Sequence, residues 1–183
     1  MRKASPSSTS RSTKATAVGA TTVCAIGLGS NLGVRGALLD AAVVEIVRRV
    51  GPVHAISRYY QTAPWGSSAV ATFPYLNAAL LCATGLSPKP VLDALLAIER
   101  AAGRERSGAN APRTLDLDLL FYGSETGDDP ALTLPHPRLH LRNFVLEPLA
   151  EIAPDWRHPK LDKTVLRLRE ECPDTLAATP LTR

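Results

Sequence analysis

The stretch RTLDLDLLF, residues 113–121, constrains this chain more than any other. Residues i and i+2 of a β-strand point to one face. Read as a strand, the segment projects Asp116 and Asp118 together and turns Leu115, Leu117 and Leu119 the other way. Two carboxylates on one otherwise apolar strand repel each other and are costly to desolvate. A cation is the simplest partner that makes the pair stable. Oxygen ligands alone suit Mg²⁺ or Mn²⁺ better than zinc. Taken alone, the pair also fits a half-exposed strand whose polar face meets solvent, so its surroundings must decide.

Those surroundings are cationic. Arg104, Arg106 and Arg113 precede the strand, and His136 and Arg142 follow it. A solvated arginine-rich loop is common. What separates this one is that the acidic and basic groups are packed into fifteen residues. Divalent cations on carboxylates, flanked by guanidiniums, meet the needs of a polyphosphate: metals bridge its oxygens and arginines neutralise developing charge.

A third group is aromatic and polar. TAPWG, residues 62–66, puts Trp65 on a loop bounded by proline and glycine. Tyr75 and Asn77 share one face of a predicted strand, and Phe144 follows Arg142. Such a set holds a flat heteroaromatic ring by stacking while an amide reads its edge. As isolated residues, Trp65 and Phe144 read equally as core or lid. GLGSNLG has glycines after a strand but neither dinucleotide-binding nor P-loop spacing. Neither a G-x-S-x-G motif nor a Cys/His pairing marks a nucleophile. His54, His140 and His158 have no partner at ligand spacing and are expected at the surface.

The rest of the pattern gives the architecture. TVCAIGLGS reads as a buried strand, and Asn31 as a cap for the helix ALLDAAVVEIVRRV, which Gly51-Pro52 ends. VHAISRYYQT and YLNAALLCAT read as the second and third strands, and residues 88–102 as a second helix with Pro90 in its first turn. The aspartate strand is the fourth. A turn and short helices fill residues 132–156, and DKTVLRLREE is a last short helix. The order β-α-β-β-α-β is that of a ferredoxin-like α+β sandwich, an antiparallel sheet with two helices on one face. In that topology the fourth strand lies beside the first.

The net charge of +4 raises the question of a polyanionic partner. The 21 basic residues include Arg2, Lys3, Arg11 and Lys14; without those four, 17 bases face 17 acids. A nucleic-acid partner is therefore not supported. Residues 1–20, rich in Ser and Thr, cannot bury enough apolar surface to order themselves and are expected to form a solvated tail, with 21–183 as one domain. No apolar run is long enough to span a bilayer, so no membrane partner is expected and the cytoplasm is the expected compartment. Cys24, Cys82 and Cys172 fit neither a disulfide scaffold nor a zinc site, and the first two are expected as buried small hydrophobes.

The motifs GLGSNLG, YYQTAPWG, FPYLNAALL, RTLDLDLLFYG and LPHPRLHLRNFVLEPLAEIAP, in this order and spacing over residues 22–160, resemble the 6-hydroxymethyl-7,8-dihydropterin pyrophosphokinases of folate biosynthesis. The resemblance implies a ferredoxin-like fold and transfer of pyrophosphate from ATP to the pterin's hydroxymethyl oxygen, with release of AMP and two Mg²⁺ ions. It makes Asp116 and Asp118 the metal ligands, with Arg104 and Arg106 as catalytic partners. Thr62, Pro64, Trp65, Tyr75, Asn77 and Phe144 match its pterin site, Thr62 and Trp65 acting largely through backbone groups. Arg104, Arg106, Arg113, Thr133, His136 and Arg142 match its nucleotide and phosphate contacts, and Glu99 and Leu119 further positions near the nucleotide. The chain departs from some members at residues 109–113, ANAPR, where they carry Arg-Trp-Gly-Pro-Arg, and at Pro137, where they carry an aromatic residue. A monomer is expected. Two other readings stay open at this point: another Mg²⁺-dependent phosphotransferase or phosphodiesterase, and a non-catalytic ferredoxin-like binding module.

Overall fold

A computed structural model describes residues 21–63, 73–104 and 113–182. The expected tail 1–20, Pro64, Trp65, Arg106 and the departure at 109–112 lie outside the described residues.

Strands β1 (Thr22–Ser30), β2 (Val53–Ile56), β3 (Tyr60–Thr62), β4 (Tyr75–Thr84), β5 (Asp116–Tyr122) and β8 (Ala178–Pro180) form one sheet. Its order is β5-β1-β4-β3-β8, with β2 also paired to β4. The aspartate strand therefore lies beside β1 and is antiparallel to it. This is the ferredoxin-like α+β arrangement read from the sequence.

Helices α1 (Arg35–Arg49) and α2 (Pro88–Ala101) cover one face of the sheet. Their apolar positions recur at helical spacing, so Leu39 and Ile46 of α1 and Val91, Leu95 and Ile98 of α2 bury against Cys24, Ile26 and Leu28 of β1. The second face is covered in part by α3 (Asn143–Ile152) and α4 (Val165–Glu170). There Leu146, Leu149, Val165 and Leu168 pack on Ala25, Ala79 and Phe121. β5 carries a bulge: Leu119 pairs with Ile26 and Phe121 with Ala25, leaving Leu120 as the extra residue. The bulge turns both Leu120 and Phe121 toward α3.

Four details of the secondary structure depart from the sequence reading. The second strand is split at Ser57, whose N–H donates to the Ala79 carbonyl at 2.9 Å. Its Oγ accepts from the Ala79 N–H at 3.0 Å, so a side chain takes the place of a ladder carbonyl. Asn31 caps no helix; α1 starts at Arg35, preceded by Val34, which gives no side-chain cap. Instead Asn31 Oδ1 accepts from the Arg113 N–H at 2.7 Å, and the Asn31 N–H donates to the Arg113 carbonyl at 3.1 Å. Where a simple turn was expected, β6 (Gly127–Asp129) and β7 (Leu132–Leu134) form a hairpin. Beyond α4 the chain returns as β8, an edge strand ending in Pro180, which needs no donor on its open side.

His158 is not a surface residue. It is 4% exposed and stands edge-on to the Phe121 ring at 5.6 Å. His140 is half-buried beside it, and only His54 is exposed as expected. Cys24 and Cys82 are fully buried register partners, with thiols donating to the carbonyls of Cys82 and Gly51. Among the described residues, no helix is long and apolar enough to cross a membrane.

Candidate active site

The β1–β5 register sets Asp116 opposite Gly29 and Asp118 opposite Gly27. On the other side of β1, β4 sets Asn77 opposite Gly29 and Ala79 opposite Gly27. Opposed residues of an antiparallel pair share a face. The carboxylates and Asn77 thus flank a strip of central strand that carries no side chain. A Cβ on Gly29 would stand 3.4 Å from Asn77 Oδ1 and 3.8 Å from the Asp116 Cβ. Glycine inside a strand weakens it and marks places where another group comes close to the backbone. This strip is the floor of a cleft of about 530 Å³.

One wall carries polar and aromatic groups. Asn77 Nδ2 donates to Thr62 Oγ1 at 3.0 Å, and both residues are only 4% exposed. That bond commits the amide nitrogen and leaves Oδ1 turned toward Gly29 as an acceptor. Tyr75, opposite Thr62 in the ladder, lines the same wall. Phe144, at the start of α3, lies 5.5 Å from the guanidinium carbon of Arg142, a cation–π distance.

The other wall is charged. Asp116 is held twice: Arg104 Nη1 reaches Oδ1 at 2.7 Å, and Arg113 Nη1 pairs with Oδ2. Arg104 also pairs with Glu99, which is 2% exposed and accepts the Leu117 N–H at 2.7 Å. Burial pushes the Glu99 carboxyl up, opposed by that N–H and by Arg104. Asp118 differs: among the described residues its carboxylate makes no hydrogen bond or ion pair. Desolvation first, and then the charge of Asp116, raises its pKa, against the pull of His136 and Arg142. His136 is itself lowered by burial, which favours its neutral form. Its Nδ1 accepts the Arg138 N–H at 3.3 Å, so the neutral ring carries its proton on Nε2.

Most of the sequence-derived candidates meet here: Thr62, Tyr75, Asn77, Glu99, Arg104, Arg113, Asp116, Asp118, His136, Arg142 and Phe144 all line one cleft. Two do not. Leu119 faces α1 and α2 from the opposite side of β5 and is 4% exposed in the core. Thr133 sits in the β6–β7 hairpin, where its hydroxyl donates to the Asp129 carbonyl at 3.2 Å. Sequence reasoning missed Gly27 and Gly29, Leu92 and Leu96 of α2, and the rim residues Ala131 and Arg138. The Gly-x-Gly step inside an apolar strand was the signal for the first pair; the others carry none.

The family described as 7,8-dihydro-6-hydroxymethylpterin-pyrophosphokinase (HPPK) matches residues 25–154. The 2-amino-4-hydroxy-6-hydroxymethyldihydropteridine pyrophosphokinase of Synechocystis sp. is 41% identical over 157 residues, covering 85% of this chain and 78% of that protein. The protein of the same name from Methylorubrum extorquens is 44% identical over 131 residues, 71% of this chain and 82% of its own. Among solved structures, the wild-type Plasmodium falciparum HPPK-DHPS with pterin and p-hydroxybenzoate matches with a TM-score of 0.66 at 14% identity. That match covers 85% of this chain but 44% of the solved one, so the chain spans less than half of that protein and the likeness is one of fold. The matched family covers most of the chain and all of the cleft-lining residues, and the chain belongs to the 7,8-dihydro-6-hydroxymethylpterin-pyrophosphokinase family.

Proposed function

We propose that this chain transfers the pyrophosphoryl group of ATP to the hydroxymethyl oxygen of 6-hydroxymethyl-7,8-dihydropterin, releasing AMP, with Mg²⁺ held by Asp116 and Asp118. The observation that carries this reading is the side-chain-free strip of Gly27 and Gly29, with paired carboxylates on one side and an oriented amide on the other. A flat ring lies along the Asn77, Tyr75 and Phe144 wall, and a phosphate chain along the wall of arginines.

The donor set fits the cation. Among the described residues, no group of three or more His, Cys, Asp or Glu is placed to hold a metal. Two carboxylates therefore leave most of the coordination to water and substrate phosphates, which is the habit of Mg²⁺. When bound there, the ion would supply Lewis-acid stabilisation of the phosphate charge. The protein's own part is positional and electrostatic. Asn77 Oδ1 accepts from an N–H on the ring edge. Glu99 holds Arg104 against β5, and Arg104 and Arg113 present their positive charge to the phosphates. Nε2–H of neutral His136 donates to a phosphate oxygen. The new bond joins the hydroxymethyl oxygen to the β-phosphorus, the bond from that phosphorus to the AMP oxygen breaks, and the hydroxyl proton passes to solvent. Thr62, Pro64, Trp65 and Arg106 complete this assignment by motif position.

Incubation with ATP, Mg²⁺ and the hydroxymethyl dihydropterin tests it. AMP that appears only when pterin is present is the expected result. ADP or free phosphate points to a different phosphotransferase or phosphodiesterase, and binding without turnover to a non-catalytic module.

A further inference from the structure

The arginines of the cleft fall into two groups. Arg104 and Arg113 are paired with Glu99 and Asp116. Arg138 and Arg142 line the same cleft, and among the described residues neither makes an ion pair. A single 3-10 turn, Leu139–Leu141, joins them. In it the Leu141 N–H donates to the Arg138 carbonyl at 3.2 Å, which folds the chain back. The turn brings both guanidiniums to one rim, Arg142 half-buried and Arg138 exposed. Burial first, and then the Arg138 charge, holds Arg142 below its ordinary value, and Arg138 acts on His136 in the same sense. Asp118 and Asp116 act on Arg142 in the opposite sense but form no ion pair with it, and two like charges on one rim raise the local positive potential and are relieved when an anion shares them.

We propose that Arg138 is a further nucleotide-binding residue: its guanidinium contacts the phosphate chain of ATP from the open rim and adds affinity without taking part in the transfer. This rests on the pyrophosphoryl-transfer reading above. The phosphate chain, not the pterin, is the partner, because Arg138 shares its side of the cleft with His136 and Arg142, whereas Thr62, Tyr75 and Asn77 form the uncharged wall. The backbone of Arg138 has a separate role, since its N–H goes to His136 Nδ1 in any variant except proline.

Calorimetric titration of α,β-methylene-ATP and of AMP, each with Mg²⁺, into wild type, Arg138→Ala and Arg138→Lys tests the proposal. The alanine variant is expected to bind the triphosphate analogue about five- to tenfold more weakly, the scale of one exposed charge-assisted contact. Its dependence on salt is expected to flatten, AMP binding to stay within about twofold, and lysine to recover most of the loss. Steady-state KM for ATP is expected to rise by the same factor with kcat within about twofold. Unchanged analogue affinity, an equal loss for AMP, or a fall in kcat at saturating ATP with unchanged KM overturns the proposal. A wild-type protein that binds the analogue yet makes no AMP with pterin removes the transfer reading instead, and leaves the Arg138 comparison decisive on its own terms.

Discussion

Asp118 stands opposite Gly27 across the β1–β5 ladder. The carboxylate that makes no hydrogen bond or ion pair among the described residues thus overlooks bare backbone. Two residues earlier on the same face, Asp116 is held by Arg104 and Arg113. One strand therefore carries, side by side, an acid paired with two arginines and an acid with no such pair among the described residues.

That asymmetry separates stability from activity. Asp118→Asn keeps the shape and removes a desolvated charge, so the metal-free protein is expected to gain about 0.5–1 kcal/mol. Asp116→Asn strands two guanidiniums and is expected to lose stability. Because the folded pKa of Asp118 lies above its ordinary 3.8, its contribution to stability is present in acid and lost as pH rises through the folded value. Urea unfolding in chelator at about pH 4 and pH 8 checks this. The advantage of the asparagine variant should appear at pH 8 and vanish at pH 4. Turnover of the same variant is expected to fall about 100-fold or more.

A methyl group on the floor of the cleft tests the role of the glycines. Gly29→Ala meets Asn77 Oδ1 at 3.4 Å and the Asp116 Cβ at 3.8 Å, contacts that a strand tolerates. The melting temperature is expected to stay within about 3 °C, since alanine also lowers unfolded-state entropy. Ring placement suffers directly, and kcat/KM for the pterin is expected to drop at least about tenfold. Wild-type kcat/KM in a folded Gly29→Ala protein means the strip is only packing.

The hydroxyl of Thr62 fixes which end of the Asn77 amide faces the cleft. Thr62→Val frees the amide to turn, and KM for the pterin is expected to rise about tenfold with little change in kcat. Thr62→Ser keeps the acceptor and should behave as wild type. Equal effects of valine and serine would show that the hydroxyl does not orient the amide.

His158 makes the fold acid-sensitive at a distance from the cleft. Burial, and then His140, hold its pKa below the ordinary 6.5, with Lys160 adding to the same effect. Its Nδ1 accepts the N–H groups of Lys160 and Leu161 at 3.2 Å each, and a ring protonated at Nδ1 gives up both hydrogen bonds. Stability is thus complete above about pH 6.5 and declines below it, as the unfolded chain takes up the proton first. Melting temperatures between pH 8 and pH 5 should show the decline. His158→Asn, which keeps an acceptor without the titration, should flatten it.

Periodicity was enough to place β1, β4, β5, α1 and α2, because each carries apolar residues at a regular period toward the core under α1 and α2. The pairing of Asp116 with Asp118 on one face was legible for the same reason: side-chain direction on a strand is fixed by a period of two. The break at Ser57 and β8 were not, since each depends on a hydrogen-bond partner far away in the chain. So does the fate of Asn31, a good cap in sequence that instead joins the backbone of Arg113.

The sequence by itself determined the inventory of the site: two carboxylates, a cluster of arginines, an amide and its aromatic neighbours. Only the tertiary structure decided their state. Register put Gly27 and Gly29 opposite the carboxylates, and the fold gave two arginines to Asp116 while Asp118, Arg138 and Arg142 make no ion pair among the described residues. Charge type is a property of a residue, but burial and the distance between charges belong to the fold, and those two quantities set how strongly each group calls for a partner.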